Sequence, residues 1–173
     1  MFAAQSLARR KERRRSFAGC GAVIWSSRHS AEKRTPRAAT AIYHFTAKVI
    51  SRSKGRSAVA AAAYRSASQL HDYRQDLTFD YAAKPDVTHS EILAPEGAPQ
   101  WARDRELLWN AVEAGEKRRD AQVAREVEFA LPEELKRSEA IALTREFVVQ
   151  GMVADLNVHW DQGNPHADVM LTR

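Results

Sequence analysis

Cysteine is nearly absent from this sequence of 173 residues, with Cys20 as the only example. A single cysteine excludes an intramolecular disulfide framework and fits a reducing, cytoplasmic environment. The sequence also lacks any run of 18 or more apolar residues, so neither a transmembrane helix nor membrane insertion is expected. No internal repeat occurs, and the length suits one domain with a proper core rather than two.

Acidic residues are scarce in the first 40 positions, which hold ten Lys or Arg and only two Glu. This segment carries a charge of +8, whereas the whole chain carries +5, so residues 41–173 have a net charge of −3. Residues 1–40 also lack a sustained apolar period. We interpret them as a basic unstructured arm, or as upstream sequence added by a mis-assigned translation start, and residues 41–173 as the folded domain.

Acidic residues are missing altogether from positions 41–71. Five basic residues lie in this zone: Lys48, Arg52, Lys54, Arg56 and Arg65. Such a zone suits the phosphate backbone of a nucleic acid. A solvated surface is the alternative interpretation of the same charges.

Secondary structure becomes legible from residue 41 onward. Alternating patterns predict strands over 41–50, 86–94, 121–131, 152–160 and 165–172, with a hairpin turn at 161–164. Helical patterns predict one helix over 58–70, capped by Ser57, and another over 99–120, with Trp101, Leu108 and Val112 on its apolar side. A third helix is predicted over 132–150, beginning with Pro132. This order predicts an α+β domain with a mainly antiparallel sheet and helices on one face.

Alternation along the strands sorts the polar residues by face. Asp155, Asn157 and His159 share one face of their strand, while His166 and Asp168 share one face of the next. Polar faces of other strands carry further candidates: His44, Glu126 and Glu128. If helices cover the apolar face, these groups meet on the open side, and the hairpin brings His159 close to His166 and Asp168.

Two imidazoles with carboxylates in one pocket suit a divalent ion such as Mn²⁺, Mg²⁺ or Zn²⁺. Simple alternation on a solvated sheet face is the competing explanation for each residue taken alone. The cluster taken together favours a metal site.

Three segments of the chain resemble one known family. "AIYHFTAKVISRSKGRSAVAAAAYR", "REVEFALP" and "HWDQGNPHADVML" are similar to the N-terminal relaxase domain of the MobA/MobL family, which includes the TraA-type conjugative relaxases. The resemblance covers nearly all of residues 41–173. Members of the family are HUH endonucleases, which nick one strand of plasmid DNA at an origin of transfer. The resemblance therefore implies an HUH relaxase fold, a bacterial cytoplasmic location, and single-stranded origin DNA and accessory relaxosome proteins as partners.

The resemblance also implies roles for single residues. Tyr64 matches the catalytic tyrosine, whose phenolate attacks the scissile phosphate and stays attached as a 5′-phosphotyrosine, leaving a 3′-hydroxyl. His159 and His166 match two of three metal-binding histidines, with Mg²⁺ or Mn²⁺ as the implied cofactor. Two acidic residues match groups near that site with a role in metal support or proton handling: Glu126 and Glu128. Without the family, Tyr64 would be interpreted as a core tyrosine on an Ala-rich helix.

The chain departs from the family pattern at several points. The family has "PHAH" where this chain has "PHAD", so Asp168 occupies the place of the third histidine. An oxygen ligand there favours Mg²⁺ or Mn²⁺ over softer ions, and its negative charge beside a phosphodiester would slow attack. The segment before Gly151 is shorter than in relatives, and the chain stops at Arg173. We therefore expect a relaxase domain that is incomplete at its C-terminus.

Three functions remain open at this point. The first is a strand-nicking endonuclease and transferase that depends on a metal and a tyrosine. The second is an inactive, truncated relaxase fragment that only binds single-stranded DNA. The third ignores the family and is a metal-binding phosphoesterase with a water nucleophile, which would form no covalent protein–DNA adduct.

Overall fold

The computed structural model describes residues 44–148, 152–161 and 163–172. Its strands are β1 (Phe45–Ser51), β2 (Gln69–Asp72), β3 (Leu77–Asp80), β4 (Val87–Leu93), β5 (Gln122–Ala130), β6 (Ala154–Asp161) and β7 (Asn164–Leu171). Its α-helices are α1 (Ala58–Ser66), α2 (Arg105–Gly115) and α3 (Arg137–Phe147), and short 3-10 helices occupy Arg52–Lys54 and Gln100–Arg103. The predicted basic arm or mis-assigned start, residues 1–40, lies outside the described residues.

Five strands form one antiparallel sheet in the order β1-β5-β7-β6-β4. The predicted hairpin of β6 and β7 is in register from Ala154 opposite Leu171 to Asp161 opposite Asn164. The prediction of an α+β domain with a mainly antiparallel sheet is therefore confirmed. A separate antiparallel pair, β2 with β3, was not predicted.

The large sheet has two faces of different chemistry. We call polar face the one that carries Lys48, Glu126, Glu128, His166, Asp168, His159, Asn157 and Asp155. We call apolar face the opposite one, which carries Val127, Leu156, Val158, Ala167 and Val169. This division follows from the alternation of side chains along each strand.

Helices lie on both faces of the sheet, not on one face as predicted. Helices α1 and α2 pack on the polar face, where Ile50 and Met170 join their core. Helix α3 packs on the apolar face, where Ala140 is fully buried against a second core. The prediction differed because the polar face also has apolar positions, and these need cover from water.

This cover buries much of the polar face, which we expect from the sequence to be open. Asp155 and Asn157 are 0% exposed, and His159 is 1% exposed. Glu126 and Asp168 are also buried. Buried polar groups must find partners or carry a cost, so the pairing on this face decides which groups remain available for chemistry.

Local signals explain where the helices begin and end. Ser57 caps α1 by accepting a hydrogen bond from the Ala60 amide at 3.3 Å, as predicted. The helix stops at Ser66 because Ala67 is left-handed, with φ of 49°, whereas we had expected it to continue to residue 70. Tyr64 therefore lies in the last turn of α1, and the chain continues into β2.

The other two helices begin later than the sequence predicted. Asp104 caps α2 by accepting from the Leu107 amide at 2.9 Å, so the predicted helix over 99–120 is split and shortened. Trp101 consequently lies in the 3-10 helix and is 48% exposed rather than on the apolar side. Helix α3 begins after Lys136, whose amide donates to the Glu139 carboxylate at 2.9 Å, and not at Pro132.

Candidate functional site

The predicted metal group assembles where β6 and β7 pair. His159 lies directly opposite His166, and their rings stack with centroids 4.8 Å apart and an angle of 6° between planes. His159 Nε2 is 3.4 Å from Asp168 Oδ2. One donor atom from each of the three side chains lies within 4.8 Å of the others. The hairpin register thus brings the three predicted ligands together.

The free nitrogens of both imidazoles face this group. His166 Nδ1 lies 2.9 Å from the Asn164 carbonyl oxygen, so Nδ1 carries the hydrogen and Nε2 of the neutral ring keeps its lone pair. His159 Nε2 is buried and has no hydrogen-bond partner among the described residues. An unpartnered buried nitrogen is costly unless a ligand completes it. The donor set therefore fits a divalent metal, which takes imidazole and carboxylate ligands.

His159 is held in its neutral form. Burial lowers its pKa to about 4, and the positive charges of Lys84 and a protonated His166 act in the same direction. Its Nδ1 lies 3.8 Å from Asp86 Oδ2 and 3.4 Å from Lys84 Nζ. In the tautomer that leaves Nε2 free, the Nδ1 hydrogen faces the Asp86 carboxylate, an arrangement typical of metal-binding histidines.

Asp168 lies between this group and a second set of carboxylates. It forms a second potential metal-binding group with Glu126 and Glu128 on the neighbouring strand β5. Burial raises the pKa of Asp168, and the two glutamates add to this effect, whereas Arg65 and His166 oppose it. An aspartate at position 168 therefore adds a carboxylate to this group, which a histidine at the same position would not do.

Each glutamate of β5 already has a cationic partner. Glu126 is ion-paired with Arg65 from α1, and both side chains are largely buried. Glu128 accepts from Lys48 Nζ at 3.3 Å and lies 3.7 Å from His44 Nε2. The structure thus places both predicted acidic residues on the polar face beside Asp168.

Tyr64 is exposed beside the same face, not buried in the core. Its side chain is 48% exposed, and its ring meets the ring of Tyr81 edge to face at 5.3 Å. Lys84 Nζ lies 4.4 Å from the centroid of the Tyr64 ring. A cleft of about 490 Å³ opens beside Tyr64 and is lined by Lys48, Ile50, Gly55, Arg56, Ser57, Ala60, Ala61, Arg65, Gln75, Leu77, Phe79 and Glu126.

The five predicted DNA-binding residues have different environments. Lys48, Lys54 and Arg56 are exposed, and Lys48 and Arg56 line the cleft. Arg65 lines it too, but its guanidinium is paired with Glu126 and bonded to the Ala61 carbonyl at 2.9 Å. Lys54 and Arg56 are exposed, as contact with a phosphate backbone requires, whereas Lys48 is exposed but donates to Glu128 at 3.3 Å.

Arg52 stands apart from the other basic residues. It is 11% exposed and donates from Nε to Glu113 Oε2 at 2.9 Å and from Nη1 to the Glu116 carbonyl at 2.7 Å. Glu113 Oε1 in turn accepts from the Ala58 amide at 2.8 Å. Arg52 thus ties the end of α2 to the start of α1, which is a structural role.

Three residues of the site were missed by sequence reasoning: Tyr81, Lys84 and Asp86. They lie between β3 and β4, in a segment that has no periodicity and no motif. Only Pro85 marks it as a turn region. Two other residues, Asp155 and Asn157, were placed on the open side but are buried beneath Arg105 and Trp109.

Among the described residues, none of the helices has the length and apolar character needed to span a membrane.

The sequence pattern of the MobA/MobL family matches residues 56–173. The chain is 45% identical over 147 residues to the conjugal transfer protein TraA of Rhizobium radiobacter, and this match covers 76% of the chain but 13% of TraA. It is 44% identical over 124 residues to the mobilization protein MobL of Acidithiobacillus ferridurans, covering 69% of the chain and 32% of MobL.

Comparison of structures agrees with the sequence matches. A solved structure described as "Molecular Basis of Vancomycin Resistance Transfer in Staphylococcus aureus" is 41% identical, with a TM-score of 0.71. The match covers 75% of this chain and 69% of that one. The chain spans about an eighth of the TraA relative's length, so the matched relative is a much larger protein. These findings confirm the resemblance seen in the three sequence segments: the chain belongs to the MobA/MobL family.

Proposed function

We propose that this chain is the DNA-nicking domain of a plasmid relaxase, acting on single-stranded DNA at an origin of transfer. The observation that carries the proposal is the buried Nε2 of His159, which has no hydrogen-bond partner in the described part of the chain. It faces His166 and Asp168, and Lys84 lies close both to this histidine and to the exposed Tyr64. The relatives are described as conjugal transfer and mobilization proteins, which agrees with a role in DNA transfer.

The proposed nucleophile is the phenolic oxygen of Tyr64. It attacks the scissile phosphorus, a tyrosine–phosphorus bond forms, and the bond from phosphorus to the 3′ oxygen breaks. The phenol gives up its proton to a base, the leaving 3′ oxygen takes a proton, and the 5′-phosphate stays on the tyrosine. Glu126 lines the same cleft as Tyr64, so it and its neighbour Glu128 are the proposed groups for proton handling or metal support.

His159, His166 and Asp168 would hold a Mg²⁺ or Mn²⁺ ion in this proposal. When bound, the ion supplies positive charge that polarises the phosphate oxygens. The low pKa of His159 keeps its imidazole able to ligate at neutral pH, and the hydrogen bond at His166 Nδ1 makes Nε2 the ligand atom of that ring. The carboxylate of Asp168 adds a hard oxygen ligand, which favours Mg²⁺ or Mn²⁺ over softer ions.

Single-stranded DNA would enter the cleft beside Tyr64. Lys48, Lys54 and Arg56 are the proposed backbone contacts, because they are exposed and close to this cleft. Accessory relaxosome proteins would recognise the origin alongside this chain, in the bacterial cytoplasm. Arg65, held by Glu126, would lend positive charge from the wall of the cleft.

The test is the formation of a covalent protein–DNA adduct by the purified chain. Single strands tiled across the replicon that carries the gene are incubated with the chain and Mn²⁺, and the products are separated under denaturing conditions. A label at the 3′ end of the DNA should become linked to protein, because Tyr64 keeps the downstream 5′-phosphate. A label at the 5′ end should appear on a shorter free strand that a polymerase can extend.

The matched control is Tyr64→Phe, which removes one oxygen from an exposed side chain. Adduct formation should fall below detection, at least about 10³-fold, while the dissociation constant for DNA changes by no more than a few-fold. Cleavage without an adduct would instead indicate a water nucleophile. An equal loss of DNA binding would mean that Tyr64 has a structural role.

A second function, binding of single-stranded DNA without cleavage, is favoured by one observation. Asp168 places a third carboxylate beside Glu126 and Glu128, near the position that an anionic phosphate must approach. If this second function is correct, the natural chain should bind DNA in a salt-dependent way and form no adduct. The Asp168→His variant should then cleave the DNA. If neither protein cleaves any tiled strand, the nicking proposal fails.

A further inference from the structure

Lys84 lies between the proposed nucleophile and the proposed metal group. Its Nζ lies 4.4 Å from the Tyr64 ring centroid, 3.4 Å from His159 Nδ1 and 3.2 Å from Asp86 Oδ2. The side chain is only 21% exposed. A lysine head group normally stays in water, since its ammonium is strongly hydrated, so this position between a ring and an imidazole needs an explanation.

Asp86 holds the ammonium in this place. The ion pair with Lys84 lowers the pKa of the Asp86 carboxyl against the effect of burial. The same carboxylate faces His159, so Lys84 and His159 share one acceptor. The carboxylate that holds Lys84 over the tyrosine ring thus also lies beside His159.

The chain around Lys84 is fixed at both ends. The Tyr81 amide donates to the Ser68 carbonyl at 3.2 Å, just after α1. The Trp160 amide, next to His159 on β6, donates to the Asp86 carbonyl at 3.0 Å. Between these points the Lys84 amide closes a turn onto the Tyr81 carbonyl at 3.0 Å. We call residues 81–86 the clasp, since they bridge the end of α1 and strand β6.

The clasp touches Tyr64 on two sides. Tyr81 presents its ring at 88° to that of Tyr64, the edge-to-face arrangement that aromatic pairs prefer. Lys84 places its ammonium over the ring, where the π electrons attract a cation. Because Tyr64 is otherwise 48% exposed, these two contacts are well placed to limit the positions its hydroxyl can take.

We propose that Lys84 is a positioning residue, which holds the Tyr64 ring beside the metal group through the clasp. The importance of this positioning for cleavage rests on the proposed function, but the position of the ring itself does not depend on cleavage. Its effect should be large at the chemical step, because a displacement of about 1 Å at a reacting group can cost about 100-fold in rate.

The position of the ring is tested without DNA or metal. The full chain is labelled with 3-fluorotyrosine and studied by ¹⁹F NMR, with the Tyr64 signal assigned by its loss in Tyr64→Phe. Lys84→Gln and Lys84→Ala should both move that signal toward its position in the urea-unfolded chain. Lys84→Arg should keep it near its original position, because guanidinium also stacks over aromatic rings. Unchanged signals in both neutral variants would overturn the proposal.

The consequence for chemistry is tested on the same variants. At saturating DNA, Lys84→Gln should form adduct about 10- to 100-fold more slowly, with the dissociation constant for DNA and the Mn²⁺ midpoint within about 3-fold. The exposed Lys117 offers the matched control, and Lys117→Gln should change neither readout. Weaker DNA binding with an unchanged rate at saturation would make Lys84 a backbone contact and overturn its positioning role.

The two proposals fail in different ways. Absence of adduct in the unmodified chain counts against the proposed nicking function, while the fluorine signal still tests the clasp. Adduct formation at the normal rate in a folded Lys84→Gln variant counts against the clasp alone.

Discussion

Asp155 and Leu156 are neighbours on strand β6, both fully buried, yet they lie on opposite faces of the sheet. Leu156 is covered by apolar side chains on the face that α3 covers. Asp155 accepts from Arg105 Nε at 2.8 Å, from Trp109 Nε1 at 2.9 Å and from Asn157 Nδ2 at 3.0 Å. The same burial is thus achieved by apolar contact on one face and by hydrogen bonds on the other.

This difference between the two faces indicates which side chains are available for chemistry. On the apolar face the surroundings of Leu156 are packed with apolar side chains, and this packing contributes stability. On the polar face Asp155 and Asn157 are fully bonded, whereas His159 Nε2 is left without a partner in the described part of the chain. The buried part of the polar face therefore has two regions. Asp155 and Asn157 have structural roles, whereas His159 is available to bind a ligand.

The largest stability effect is expected on the polar face. Asp155→Ala removes the carboxylate that accepts from the half-buried Arg105 and the buried Trp109, and it should lower the free energy of unfolding by about 3–5 kcal/mol. Urea denaturation followed by fluorescence measures the loss. Asp155→Asn keeps one acceptor and should lose less than the alanine variant. Equal losses for the two variants would show that the hydrogen bonds to the carboxylate contribute little.

A somewhat smaller effect is expected for its neighbour on the apolar face. Leu156→Ala should cost about 2–5 kcal/mol through lost burial and the cavity left behind, with no dependence on salt. The same urea titration measures it. A loss below about 1 kcal/mol would contradict close packing between α3 and the sheet at this point.

Asp168→His changes one of the proposed metal ligands beside His159 on the polar face. The histidine variant should bind Zn²⁺ about 10-fold more tightly, because it replaces a hard oxygen with a third imidazole. Thermal unfolding during titration with Mn²⁺ and Zn²⁺ reports binding to the folded state. If the natural chain responds to Mn²⁺ at micromolar concentration, its site is assembled, and if only the variant responds, Asp168 has abolished it.

Acid should weaken the metal-free protein through His159. The folded pKa is about 4, against 6.5 for an ordinary histidine, so the unfolded chain binds the proton first as pH falls below 6.5. Stability should drop through this window by at most about 1.4 kcal/mol per pH unit, and by less where water reaches the ring.

Unfolding in urea at several pH values, with a chelator present, measures this effect. His159→Gln cannot take up the proton and should show a shallower dependence. Asp168 acts in the opposite direction, because its raised pKa lets the folded state take up a proton first, so the difference between the two proteins isolates His159. Parallel curves for both proteins would contradict the buried neutral imidazole.

The smallest effect is expected at the exposed basic residues. Lys54→Gln together with Arg56→Gln should weaken DNA binding a few-fold and reduce the salt slope by about 0.7 log units for each phosphate that is no longer neutralised. Fluorescence anisotropy over a range of salt concentrations measures both quantities. Arg52→Gln should instead lower stability, because its guanidinium holds Glu113 and the end of α2. An unchanged slope in the double variant would exclude these residues as ligands of the DNA backbone.

Strand alternation made most of the sheet and half of the site predictable. The spacing of His159, His166 and Asp168 on two strands joined by a short turn predicts that they face one another, and the register confirms it. Helix positions were also recovered approximately, since Ser57 and the Ala-rich run are strong local signals. Helix ends at Ala67 and Asp104 were missed, because they depend on single capping residues that the apolar pattern conceals.

Long-range contacts account for what the sequence could not predict. The clasp residues Lys84 and Asp86 lie close to Tyr64 and His159 at sequence separations of 20 to 75. No sequence pattern predicts these contacts. Arg52 was predicted with the DNA-binding residues, but in the fold its charge is paired with Glu113. Both outcomes depend on which elements pack together, not on composition.

The sequence by itself determined the alternating strands, the cap of α1 and the ligand types available to a metal, because these depend on neighbours within a few residues. Only the tertiary structure decided that helices cover both faces and that Lys84 lies over Tyr64. It also decided that Asp155 is satisfied, whereas His159 Nε2 has no hydrogen-bond partner among the residues that the structure describes. The physical reason is burial: whether a polar group needs a partner, and which one it finds, is set by segments that meet across the folded chain.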